Sequence, residues 1–392
     1  MGYAIKQVKG ESLKRKGGVV LTAPLPLDGN ESDSDYRTPS IIQRILGLLA
    51  TVKPGSDLTR LRLPPQFNIP KSQLQVYGES VYCVSTDVLS KCTKEETPLG
   101  RLVCVVAWFL SMYRPLPFGV APYNPLLGET HHVSVGSLNV LVEQVSHHPP
   151  VSALHASDDK HNIEMIWCQS PIPKFCGSCI ETEVVGKRHL KLLDKHETYI
   201  MNSPKLVIRF FPFSSVEWIG NVTIRCQETD LEAQLCYRGN SFWPRPSLHR
   251  SIKGKIVRSS TSHMIYEIYG HWDRSVMVKD AATGQQTTIY NAKEVLSELK
   301  TPIVMDPAAI CRSESSLVWS EVSRAILEKK WDKARECKSE IEERQREIAR
   351  ERQLKEEQWL PKYFRVFHSQ ESGWDCVPKN NIVAPAPIVV ND

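Results

Sequence analysis

No stretch of this 392-residue chain is apolar over the roughly 18 residues that a bilayer-spanning helix needs, so any membrane contact is expected to be peripheral. Met1 to Gly18 is basic but holds no apolar core segment, so no signal peptide is expected. The eleven cysteines are odd in number and form no framework, which points to free thiols in the reducing cytosol. Cys176-Gly177-Ser178-Cys179 has metal-site spacing, but a second pair at zinc-site spacing is missing, so no metal is expected. A net charge of +5, without a dense basic stripe, argues against a nucleic-acid partner and suits a visitor to anionic membrane surfaces. Catalytic motifs are absent as well: there is no G-x-S-x-G elbow and no H-E-x-x-H. The pairs His131-His132 and His147-His148 have no nucleophile placed beside them by motif, so neither a hydrolase nor a metal-dependent esterase is expected, and no cofactor.

What is present is a soluble composition, 41% hydrophobic and 24% charged, on a chain long enough for a large core. Residues 1–38 read as a polar, mobile leader. Ser40 to Val52 reads as a short helix, capped by Ser40 and stopped by Pro54-Gly55. Ile41, Ile42, Ile45, Leu46, Leu48, Leu49 and Val52 make it apolar around most of its circumference. Such a helix is buried in a core, laid on a membrane, or closed over an apolar cavity. Its place beside the leader tilts the reading toward a mobile cover. Gln73–Cys83 and Leu99–Tyr113 read as helices, the second apolar enough for the core. From 116 to 290 short β patterns follow one another without helices between them, the pattern of an antiparallel meander closing into a barrel. A barrel that wide cannot fill itself with side chains and is expected to enclose a ligand cavity. Trp319–Ile326 has an apolar helical face, and Glu328–Glu357 reads as a solvated helix laced with i,i+4 ion pairs. Little regular structure is expected beyond about residue 376.

The densest signal is Glu143-Gln144-Val145-Ser146-His147-His148-Pro149-Pro150. An alternating strand pattern runs into two prolines that cannot donate ladder hydrogen bonds, and the first restricts His148 as well. Two imidazoles are thereby pinned at the end of a strand, where they can donate to anionic oxygen or bind a metal. Taken alone, the pair also reads as surface histidines before a turn.

That octapeptide is a signature of the oxysterol-binding-protein-related lipid-transfer family, and the chain resembles that family over roughly residues 40–365. Tyr123-Asn124-Pro125-Leu126-Leu127-Gly128-Glu129-Thr130, Gly270-His271-Trp272-Asp273, the run Lys338–Arg346 and Trp359-Leu360-Pro361-Lys362-Tyr363-Phe364 support the resemblance. It implies a mainly β fold with helices: a large antiparallel β-barrel enclosing a lipid tunnel, an N-terminal lid helix, and helical segments before and after the barrel. The expected domain spans 39–365, with a lid at 39–55, helices at 71–115, the barrel at 116–290 and C-terminal helices at 317–358. A tail at 366–392 follows. The form is the short one, without a pleckstrin-homology domain.

The resemblance also implies a headgroup site for phosphatidylinositol 4-phosphate or another anionic phospholipid. Its residues here are His147, His148, Asn124, Glu129, Lys338, Glu342 and Arg346. The last three lie at i, i+4 and i+8, so a helix presents them toward one side. The lid would be Ile41, Ile42, Ile45, Leu46, Leu48 and Leu49. Relatives usually carry lysine where this chain has Ala121, and a lost charge-assisted bond is worth roughly 1.5–3 kcal/mol, about tenfold or more in affinity. Arg114 is the candidate substitute. Tyr113 and Gln73 are candidates for contact with a sterol. The function implied is non-enzymatic transfer of sterol and phosphoinositide between membranes. The alternative is a lipid-dependent sensor or scaffold at membrane contact sites. Expected partners are sterol, the anionic phospholipid, a peripheral membrane surface and a docking protein at the endoplasmic reticulum. The expected location is the cytoplasm, with peripheral attachment to endoplasmic reticulum, Golgi or plasma-membrane contacts.

Overall fold

The computed structural model describes residues 18–26, 41–50, 52–83, 86–211, 213–239, 249–296, 299–369 and 373–391. One large sheet dominates it. In chain order its strands are preceded by a short parallel pair, β1 (Asn68–Ser72) and β2 (Ala121–Tyr123). The sheet then takes β3 (Thr130–Val135), β4 (Leu138–His147), β5 (Pro150–Asp158), β6 (Ile163–Phe175), β7 (Cys179–Val185) and β8 (Arg188–Leu192). It continues with β9 (Glu197–Met201), β10 (Lys205–Arg209), β11 (Ser215–Cys226), β12 (Leu231–Tyr237) and β13 (Ser251–Arg258). The meander closes with β14 (Met264–His271), β15 (Ser275–Asp280) and β16 (Gln286–Asn291), and β17 (Ile303–Val304) follows. A hairpin of β18 (Phe364–Ser369) and β19 (Gly373–Pro378) stands apart, and β20 (Ile388–Val390) returns to the sheet. Every pairing in the 16-stranded sheet is antiparallel except β20 on β3.

The sheet divides at its middle. The first half of the long strand β6 pairs with β8 and the second half with β7, while β11 pairs with β9 at one end and β10 at the other. Two short hairpin-like pairs thus lie end to end between two long strands. Gly186 makes the passage from β7 to β8 possible: its φ is +120°, and a Cβ there would sit 2.0 Å from the Cys168 carbonyl oxygen.

The helices are α1 (Ile41–Leu49), α2 (Gln73–Tyr82), α3 (Thr86–Lys94), α4 (Pro98–Ser111), α5 (Ala292–Val295), α6 (Ser315–Val318), α7 (Ser320–Leu327) and α8 (Trp331–Leu354). Ser72 starts α2 with a capping box closed by Gln75, and Thr97 caps α4 by accepting from the Gly100 amide at 3.0 Å. Strand β12 shows why the sheet buries one face: Leu231, Ala233, Leu235 and Tyr237 are enclosed and the residues between them are not. That buried face is covered by α4, whose Leu102, Val105, Val106, Trp108 and Phe109 are also enclosed. The reading of 99–113 as a core helix therefore holds.

Two expectations need correction. Residues 18–26, read as part of a mobile leader, are docked. The Val20 amide donates to the Ser316 carbonyl at 3.1 Å, Lys71 Nζ donates to Ala23 O at 2.6 Å, and Arg114 donates to Leu25 O at 3.2 Å. The tail at 366–392 is also no appendage. The β18–β19 hairpin packs on β6, and β20 sits in the main sheet between β3 and β17. Backbone pairing to distant strands supplies the order that three apolar residues, Ile388 to Val390, do not announce locally.

Candidate functional site

The octapeptide builds a hairpin. Strand β4 runs through His147, the tip is His148-Pro149 with a cis peptide bond, and Pro150 opens β5 opposite His147. Its first residues are scaffold. The Glu143 carboxylate is fully buried and accepts from the Lys362 and Tyr363 amides at 2.6 and 2.8 Å, tying the strand to the Trp359–Phe364 turn. Burial raises its pKa, and the two amides pull the other way. Gln144 accepts from Ser152 Oγ at 2.6 Å and donates to Ser146 O at 2.8 Å, spanning a bulge in the β4–β5 ladder. The two imidazoles remain, with ring centroids 4.6 Å apart. His148 is exposed, whereas His147 is half-buried and its Nδ1 is enclosed without a hydrogen-bond partner. Burial, helped by the neighbouring His148, lowers the His147 pKa, and a bond to the Pro125 backbone works against this. The burial therefore favours the neutral imidazole.

The Pro125 contact leads to the loop between β2 and β3. Asn124 is exposed on it. Leu126 packs against the apolar cluster that also holds Trp319 and, from α8, Ala334 and Cys337, so the loop and α8 share one cluster. Gly128, at φ +79°, lets the Trp359 ring approach; a Cβ there would lie 2.6 Å from it. Glu129 does not stand with the exposed groups. It is 2% exposed and takes four donors: Ser72 Oγ, Ser315 Oγ at 2.7 Å, Trp319 Nε1 at 2.9 Å and the Leu126 amide at 2.9 Å. Burial raises its pKa even so. This carboxylate shapes the loop from behind, joining β1, the loop itself, α6 and the α6–α7 junction. Glu129→Ala is expected to destabilise the fold by roughly 3 kcal/mol or more, since several buried donors lose their acceptor. Denaturant unfolding at pH 7 measures this, and a loss below about 1 kcal/mol would remove the scaffold role.

The predicted ladder on α8 forms as spacing requires. Glu342 lies 4.0 Å from Lys338 Nζ and 3.4 Å from Arg346, and Arg346 also pairs with Glu343. Lys338 is the unusual member. It is 7% exposed, and its amine donates to the Leu63 carbonyl and, at 2.6 Å, to Asn68 Oδ1. Burial drives its pKa down to about 8, with Glu342 opposing. Two neutral oxygens and a carboxylate at the edge of ion-pair range are thin compensation for a buried ammonium.

Asn68 was not legible in the sequence, because its partners are distant in the chain. Its amide donates to the Ala121 and Pro122 carbonyls at 3.1 and 3.3 Å. One side chain thus links Lys338 to Ala121, the position at which the resemblance led us to expect lysine. Arg114 does not replace that lysine, for its guanidinium is buried against the Leu25 and Cys83 carbonyls. Tyr113 is buried, and its hydroxyl accepts from Arg188 at 3.1 Å; Gln73 opens α2 and is half-buried. His131 and His132 serve the fold instead, His131 bonding Glu314 at 2.7 Å and Tyr82 at 3.1 Å, and His132 bonding the Ala384 carbonyl at 2.8 Å.

Helix α1 closes over an apolar cluster. Ile45 and Leu49 are buried among Leu58, Phe67, Phe175 and Phe210, with Phe118, Val120 and Ile208 at the margin. The side chains of Ile41, Ile42, Leu46 and Leu48 lie outside the described residues. The segment after α1 is pinned to the end of β6: Gly55 N donates to Phe175 O at 2.6 Å, Phe175 N to Ser56 O at 3.0 Å, and Leu58 N to Pro173 O at 2.9 Å. Leu63, which accepts from Lys338, follows on the same segment, so the chain leaving α1 also holds the buried amine of α8. At the β6–β7 turn, ligand atoms of Cys176, Cys179 and Glu181 lie within 4.8 Å of one another, the one such group of metal-capable side chains among the described residues.

Residues 47–383 match the family model for oxysterol-binding protein. The chain is 49% identical over 375 residues to oxysterol-binding protein-related protein 4B of Arabidopsis thaliana, covering 95% of this chain and 97% of that one. The chain belongs to the oxysterol-binding protein family. Within the family it is also 47% identical to oxysterol-binding protein-related protein 4A of Arabidopsis thaliana, over 97% of this chain and 99% of the other. The crystal structure of the Osh1 ORD domain in complex with ergosterol superposes with a TM-score of 0.72 at 22% identity, covering 92% of this chain and 90% of that chain. The Osh3 ORD of Saccharomyces cerevisiae in complex with PI(4)P gives 0.67 at 20% identity, covering 94% and 96%. At these identities the likeness establishes the fold: mostly β, barrel-like, with flanking helices, as the sequence patterns predicted.

Proposed function

We propose that this protein carries lipids between membranes, enclosing one molecule under α1 and reading an anionic headgroup at the site of His147, His148, Lys338 and Arg346. Lys338 carries the argument. A buried ammonium held mainly by neutral carbonyls, with its pKa depressed to about 8, is a group that an anionic oxygen would satisfy. The enclosed Nδ1 of His147 offers a further group at the hairpin that the loop joins to α8. Family members of the same fold are seen with ergosterol and with PI(4)P, which supports phosphatidylinositol 4-phosphate as the headgroup ligand and sterol as the alternate cargo. Asn124, exposed on the connecting loop, joins the headgroup set in this proposal, and Glu342 steadies the two cations. Nothing in the arrangement calls for bond chemistry, so the protein is proposed to act as a carrier and not as an enzyme, peripheral to the membranes it serves.

The proposal has a pH signature. The folded pKa of Lys338 lies below the ordinary lysine value, so holding its proton costs the ligand-free fold stability below about pH 8, and a bound phosphate relieves that strain. Affinity for the phosphoinositide is therefore expected to fall as pH rises through about 8. His147, whose burial favours the neutral form, is expected to take up a proton on binding. Calorimetry in buffers of differing ionisation enthalpy reads both. Affinity flat from pH 7 to 9 with no proton uptake would count against the site. Mass spectrometry of lipids retained after incubation with mixed-lipid vesicles tests the ligand reading. Neither sterol nor phosphoinositide above the level in a protein-free control would overturn it.

A further inference from the structure

We infer that the β10–β11 turn beside the lid is a bilayer-docking patch, in which Phe211 and Phe213 enter the interfacial region of an anionic membrane. This rests on the carrier reading, since a carrier must bring its mouth to a bilayer. Phe211 is 70% exposed and Phe213 is 54% exposed, two large aromatic side chains left in water on one turn. Their neighbour Phe210 is buried in the same apolar cluster as Ile45 and Leu49 of the lid, so the turn stands at that cluster's edge. The Phe210 amide donates to the Ser178 carbonyl at 2.9 Å, which sets the turn against the β6–β7 turn. There Gly177 lies beside Pro54 of the segment that anchors the lid.

The charge on the segments that pack beside this turn favours anionic lipid. Arg44 on α1, Lys53 just after it, Arg60 and Arg62 on the anchoring segment, and Lys174 at the end of β6 are all exposed. Exposed acids on the same segments are Asp57, Glu181 and Glu183. Aromatic side chains flanked by an excess of cations match a bilayer interface, where the rings settle at headgroup depth and the cations meet anionic phosphate. A protein partner would gain from the rings but has no need of this spread of positive charge.

Flotation of the full chain with phosphatidylcholine vesicles, with and without phosphatidylserine, tests the patch. The double variant Phe211→Ser/Phe213→Ser is expected to bind phosphatidylserine-containing vesicles roughly tenfold or more weakly than the wild type. Its thermal unfolding and its uptake of sterol delivered from cyclodextrin should be unchanged. Phe367→Ser, on the β18–β19 hairpin and outside the lid cluster, should bind vesicles as the wild type does. Wild-type binding should also weaken with added salt. Equal flotation of wild type and double variant overturns the inference, as does a loss matched by Phe367→Ser or failure of the wild type to float. Failure of sterol and phosphoinositide uptake from solution would instead overturn the carrier reading, and the flotation result stands apart from it.

Discussion

Replacing Lys338 with alanine is expected to weaken phosphatidylinositol 4-phosphate uptake by roughly ten- to a hundredfold while sterol uptake survives. The magnitude follows from the loss of one charge-assisted hydrogen bond, about 1.5–3 kcal/mol, in a site shielded from water. The selectivity follows from placement: the amine is held by Leu63 and Asn68, outside the apolar cluster that includes α4. Stability should change little, because removing a desolvated charge offsets the cost of leaving the Leu63 and Asn68 oxygens without their donor. Titration with a short-chain phosphoinositide and, separately, with a fluorescent sterol distinguishes the two cargoes. Equal weakening of both would show that Lys338 supports the fold and does not read a headgroup.

Leu49→Asp is expected to have the larger effect on retention. Leu49 is buried among Phe67, Phe175 and Phe210, and a carboxylate there would be desolvated with no partner, a penalty of several kcal/mol. The helix escapes that penalty by leaving the cluster, since the chain after it is pinned independently by Gly55, Ser56 and Leu58. Sterol dissociation is then expected to accelerate by about a hundredfold or more, with little loss in unfolding temperature. Stopped-flow dissociation of a fluorescent sterol measures this. If the rate of the variant equals that of the wild type, α1 is not the barrier to exit.

Much of this architecture was legible in the residues. The β patterns over Glu232–Tyr237 and Lys205–Phe211 predicted strands where strands stand, and Leu99–Leu110, apolar but for Gly100 and Arg101, predicted a core helix. The charge ladder Lys338, Glu342, Arg346 was readable because i,i+4 contacts are local. What escaped was long-range. Asn68 and Lys338 are 270 residues apart, and no local rule pairs them. Glu129 was predicted among headgroup groups, yet its four donors come from β1, the loop itself, α6 and the α6–α7 junction, and only the folded chain shows them closing around it. Residues 18–26 and 388–390 looked unstructured because their order comes from partners elsewhere in the chain. Ala121 was readable as a missing lysine. That its carbonyl is tied through Asn68 to another lysine was not.

Transfer of labelled phosphatidylinositol 4-phosphate and of sterol between two vesicle populations, with wild-type protein and with His147→Ala/His148→Ala, tests the central claim most directly. The account predicts that the wild type accelerates movement of both lipids above the protein-free rate. It predicts that the double variant loses phosphoinositide transfer by roughly tenfold or more while it still moves sterol. Wild-type rates for both lipids no higher than those of the double variant would contradict it.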